Sequence, residues 1–143
     1  MTVERSSEVF MVPVSIGEVV DKITILRIKE VQIKDPAKLA NVKRELTALE
    51  TSYLDHVGDV PEEVARLTDE LQKINEALWT IEDDIRDCER ASDFGDRFIQ
   101  LARAVYVTND KRAKVKREIN VALGSDLVEE KSYHEHAAPA GVS

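Results

Sequence analysis

The chain has 143 residues and a mass of 16.1 kDa, with 43% hydrophobic and 34% charged residues. That is a common single-domain size, large enough to bury a core without disulfides or a metal. With one cysteine there is no internal disulfide framework. A net charge of −8, a pI near 4.9 and only 5% aromatic residues argue against nucleic acid as a partner. No run of about 18 apolar residues is present, so no membrane span is expected. The opening MTVERSSEVF lacks an apolar stretch of the secretory kind, so the expected compartment is the cytoplasm.

In chain order, residues 1–8 read as a flexible start. EVFMVPV over residues 8–14 reads as an extended apolar arm packed on the rest, because Pro13 is unsuited to a central strand. Ser15-Ile16-Gly17-Glu18 has the form of a capping box and predicts a helix over about 16–33. Apolar residues cover more than one face of that helix, so it should be the most buried. Asp35-Pro36 starts a second helix, with Leu39, Val42, Leu46, Leu49 and Tyr53 on one stripe and Gly58 at its end. Pro61 opens a third, and Glu62 and Glu63 suit its N-terminal dipole. Its stripe, Val64, Leu67, Leu71, Ile74, Leu78, Ile81, Ile85 and Cys88, alternates steps of three and four like a coiled-coil seam. Cys88 on that seam reads as a buried thiol.

Ser92-Asp93 is the expected cap of a fourth helix ending at Gly124. With a short turn between them, the third and fourth helices should form an antiparallel hairpin. Their charges agree: residues 61–90 carry ten acids and four bases, and residues 97–117 carry seven bases and one acid. The expected architecture is all-α: a bundle of four principal helices, with a long antiparallel C-terminal hairpin and an extended N-terminal arm. One helical domain should span residues 9–133, and residues 134–143 read as a disordered tail.

Signatures of common chemistries are missing. There is no Gly-rich phosphate loop and no Glu-x-x-His pair. Asp84/Asp87 and Asp93/Asp96 have spacing that could hold a divalent ion, but such acids also serve helix termini. His134-Glu135-His136 lacks a fixed third ligand, so no metal and no cofactor are expected.

One interruption is informative. The apolar stripe of the fourth helix should continue through 108/109 and 112, yet Thr108, Asn109 and Arg112 stand there, with Lys116 and Asn120 further along the same face. Hairpin pairing brings Asn75 opposite them, beside a row of Asn75, Trp79, Glu82 and Arg86. A buried arginine needs a partner. An internal network would pair Arg112 with Glu70 or Glu30, the asparagines fixing the register. A ligand site would instead use Arg112, Lys116, Asn109, Asn75, Glu82, Arg86 and Trp79 to hold an anionic small molecule, such as a phosphorylated or carboxylated metabolite.

The segments VPVSIGEVVDKITILRIKE, ALWTIEDDIRDCE, DFGDRFIQLARAVYVTNDKRAKVKREIN and LGSDLVEEKSY together resemble a family of small, soluble, mainly helical bacterial proteins of unknown function, over residues 10–133. The resemblance implies no activity and supplies no catalytic residue. A looser similarity to the all-helical chorismate mutases rests on the residue types Arg86, Arg112, Lys116 and Glu82, without their first-helix spacing. The leading expectation is a non-catalytic accessory or protein-interaction bundle, with a second copy of the chain or another protein as partner. The alternative is a binder of an anionic small molecule, or an enzyme acting on one.

Overall fold

The computed structural model describes residues 9–128 and residue 130. Four helices follow in order: α1 (Ile16–Gln32), α2 (Pro36–Val57), α3 (Glu62–Arg90) and α4 (Asp96–Ala122), and there is no strand among the described residues. The Ser15 hydroxyl accepts from the Glu18 amide at 3.2 Å, so half of the expected capping box forms. Asp35 caps α2 with Pro36 in its first turn. At α4 the expected cap is displaced. Gly95 is the N-cap, while Asp93 accepts from the Gly95 amide at 3.1 Å and Ser92 takes a left-handed φ of 53°. The turn therefore runs three residues longer than a Ser92-Asp93 cap implies.

α1 is the central helix. It packs against α2, α3 and α4, whereas α2 lies close to α1 alone. Two apolar clusters result. Val20 of α1 joins Val64, Leu67 and Leu71 of α3 with Val115 and Ile119 of α4. Ile23 and Leu26 join Val42 and Leu46 of α2. Tyr53 touches both clusters. Its hydroxyl is buried without a hydrogen-bond partner among the described residues. Burial raises the phenol pKa above its ordinary 10.0, with Arg27 pulling the other way.

The start of α3 shares a cluster with the end of α4, and Cys88 and Asp93 close the turn through a 2.8 Å backbone bond. This is the hairpin read from the two stripes, but its two halves are not alike. On α3 every buried residue except Cys88 lies at or before Asn75. On α4 every buried residue lies at or after Val115. The 17 residues of α1 span about 25 Å and the 29 of α3 about 43 Å. The unbroken seam thus outruns the helix that covers it.

The N-terminal arm differs from expectation. Residues 9–14 lack regular structure, as Pro13 requires, but Val9, Phe10, Met11, Val12 and Val14 are exposed rather than packed. Past α4, Ser125 docks on the start of α1 by accepting from the Ile16 amide at 3.2 Å. The expected tail, with His134 and His136, lies outside the described residues.

Candidate functional site

At the junction of α1 and the hairpin sits a buried carboxylate. Asp21 is 1% exposed. Arg112 of α4 grips it with two nitrogens: Nε donates to Oδ1 at 2.9 Å and Nη2 donates to Oδ2. Asn75 of α3 donates through Nδ2 to Asp21 Oδ1 at 2.9 Å and to Thr24 Oγ1 at 2.8 Å. Thr24 in turn donates to the Asp21 carbonyl at 2.8 Å. Lys116 lies 4.0 Å from Asp21 and donates to Glu18 at 2.6 Å. One turn further, Asn120 accepts from the Gly17 amide at 2.6 Å. A ladder of polar contacts thus ties α1 to both arms of the hairpin, and a bidentate arginine–carboxylate pair is its strongest rung.

Gly17 explains how α1 comes close enough. A Cβ there would clash with the Lys116 carbonyl oxygen and the Asn120 side chain. The row Gly17, Asp21, Thr24 and Ile28 is one buried face of α1 at steps of four, three and four.

An internal network therefore exists, but its carboxylate is not the one expected. Arg112 pairs with Asp21 rather than Glu70 or Glu30. Glu70 instead pairs with Arg66 on its own helix. Asp21 reads as a solvent-facing charge only if Val20 and Ile23 are taken to define the whole buried face of α1. Its position four after Gly17 and three before Thr24 was the available signal. Glu18, partner of Lys116, serves both the cap region and this network.

Six of the seven expected site residues meet in one cleft of about 460 Å³: Asn75, Trp79, Glu82, Arg86, Asn109 and Arg112. Ile25, Leu78 and Asp83 complete its lining. Lys116 does not reach it and stays with Glu18. Arg112 is at once a rung of the network and a cleft wall, its side chain 29% exposed. Arg86 pairs with Glu82 at 3.4 Å across one helical turn. On the other side of the hairpin, Lys111 and Lys114 share a groove with Glu70 and Lys73 of α3 and Glu118 of α4, while Arg112 and Lys116 pair with Asp21 and Glu18 of α1 and Arg117 with Glu130, rather than with the acidic α3.

One member of each acid pair beside the turn has a local partner: Asp87 with Arg90, and Asp93 with the Gly95 amide. Among the described residues no three His, Cys, Asp or Glu side chains are grouped to hold a metal. No helix is long and apolar enough to cross a membrane, again among the described residues.

Comparison with curated proteins and with solved structures gives no significant match. A family model does match, over residues 10–142, and by it the chain belongs to DUF6165, a family of unknown function.

Proposed function

We propose that this protein is a non-catalytic interaction bundle that acts through the free half of its α3–α4 hairpin, and that the partner on that half is a second copy of the chain. The observation that carries the reading is the uncovered seam. Leu78, Ile81 and Ile85 of α3 and Phe98, Leu101 and Val105 of α4 are only half-buried. Phe94 is 52% and Ile99 49% exposed beside them. Two helices alone leave such a seam partly wet, and four close it.

Charge favours a second copy over an unrelated partner. Residues 76–90 of α3 carry six acids and two bases, and residues 96–112 of α4 carry four bases and two acids. A two-fold arrangement sets each acidic α3 beside the partner copy's basic α4, so one self-complementary patch serves both chains. The ionisable groups that converge on Asp21 support a structural role, because they neutralise one another. An anionic metabolite has less support: Asp21 and Glu18 already stand where its carboxylate or phosphate would meet Arg112 and Lys116.

Sedimentation equilibrium across a dilution series tests the reading. The unmodified chain should approach twice 16.1 kDa with concentration. Ile99→Glu, which places a charge on the exposed seam, should hold it at the monomer mass with an unchanged helical spectrum. A monomer at every concentration, or an Ile99→Glu variant that associates like its parent, would overturn it.

A further inference from the structure

We infer that the cleft at the junction of α1 and the hairpin binds a primary ammonium group carried on an apolar stem. The site goes beyond the interaction reading. Ten residues of α4 separate Asn109 in the cleft from Ile99 on the seam, about 15 Å along the helix, while Leu78, Glu82, Asp83 and Arg86 of α3 border both.

Asn75 is 4% exposed. Both hydrogens of its amide nitrogen are committed, one to Asp21 and one to Thr24. A carboxylate only accepts, and the Thr24 hydroxyl spends its hydrogen on the Asp21 carbonyl, so neither partner tolerates a flipped amide. The Asn75 carbonyl oxygen is therefore fixed in place. It has no hydrogen-bond partner among the described residues, and Asn75 lines the cleft. Glu82 and Asp83 add carboxylates to the same lining, and Trp79 adds an aromatic face. Ile25 and Leu78 supply apolar wall.

These groups ask for hydrogen-bond donors and positive charge. The cleft's own cations have partners: Arg112 is bound to Asp21 and Arg86 to Glu82. Counting Asp21 behind the wall, three acids face two bases, on a chain of net −8. An ammonium group offers three donors and no acceptor. It is attracted to an indole face and leaves its stem to the apolar wall. A carboxylate or phosphate would meet Glu82, Asp83 and the Asn75 oxygen, all acceptors.

Trp79 is the only tryptophan, so its fluorescence reports on the cleft directly. The unmodified protein would be titrated at constant ionic strength with cadaverine, with Nα-acetyl-lysine amide, and with valerate as the anionic counterpart. Saturable change is expected with the ammonium compounds and not with valerate. The tighter of the two amines distinguishes a free diamine from a lysine side chain as the natural source. Glu82→Gln and Asp83→Asn should each weaken the binding about threefold, as for exposed ion pairs. Arg86→Gln should tighten it by a similar factor, because it releases Glu82; a site for anions demands the opposite sign. The inference is overturned by the absence of saturable change with either amine, by equal binding of valerate, or by weaker amine binding in Arg86→Gln. Because Leu78, Glu82, Asp83 and Arg86 also lie on the half of the hairpin assigned to the second copy, the titrations are repeated in the Ile99→Glu variant: amine binding there supports the site whatever the parent's oligomeric state, and its absence there overturns the site alone.

Discussion

Replacing Arg112 with methionine isolates what holds α1 against the hairpin. Methionine keeps an unbranched apolar stem and removes the guanidinium. Asp21 would then be a carboxylate with 1% exposure and without its bidentate partner. Removing one member of a buried pair costs about 3–5 kcal/mol, because the other charge is left uncompensated. Asn75 still donates to Asp21, and Lys116 stands 4.0 Å away, so the lower end, about 3 kcal/mol, applies. For a chain of this length each kcal/mol moves the midpoint by roughly 3 °C, so a calorimetric melt should fall by about 10 °C. The pair Asp21→Leu and Arg112→Met completes the cycle. Each single variant strands one charge, whereas the double variant strands neither and should lose much less than the sum of the two. An Arg112→Met protein that melts with its parent, or single losses that simply add, would refute the claim that this ion pair is an energetic unit.

Three smaller perturbations probe the packing around it. Gly17→Ala puts a methyl group against the backbone carbonyl of Lys116; forced apart there, α1 and α4 should lose about 1–3 kcal/mol in a denaturant titration. Ser15→Ala removes the hydroxyl that accepts from Glu18, and a loss of about 1 kcal/mol is expected by the same assay. Tyr53→Phe should leave the neutral-pH melt unchanged or raised, because it deletes a buried hydroxyl without a partner among the described residues. The same variant bears on pH. The folded-state phenol pKa lies above the ordinary 10.0, so the fold holds that proton more tightly than the unfolded chain. Its contribution is whole below that value and lost as pH rises past it. The alkaline loss of stability should therefore be shallower in Tyr53→Phe, as read from melts at rising pH.

Much of the fold was legible because it rests on local signals. Ser15, Asp35-Pro36 and Gly58 mark helix ends through backbone geometry that their own side chains or conformations satisfy, so no tertiary information was needed. The seam from Val64 to Cys88 announced a partner helix by its spacing. The gathering of Asn75, Trp79, Glu82, Arg86, Asn109 and Arg112 followed from hairpin register, since two antiparallel helices joined by a short turn have few ways to align.

What the sequence does not specify depends on α1. Nothing in the hairpin states which face of α1 it receives, so spacing alone points Arg112 to Glu70 or Glu30, whereas Asp21 holds it from the face shared with Gly17 and Thr24. Lys116 has the same origin: grouped with the site by periodicity, it is drawn to Glu18 by the position of α1. The apolar arm at residues 9–14 departs from its expected packing for a different reason. Apolar composition predicts burial only where a surface is present to receive it, and the described residues leave Phe10 and Met11 exposed.

The central claim is that the outer half of the hairpin is the working surface and that a second copy covers it. Amide hydrogen exchange followed by mass spectrometry at two protein concentrations tests this most directly. Segments covering residues 78–106 should gain protection as concentration rises, while α2, which packs only on α1, should exchange alike at both. Protection of residues 78–106 that is the same at both concentrations, with the chain monomeric, would contradict it.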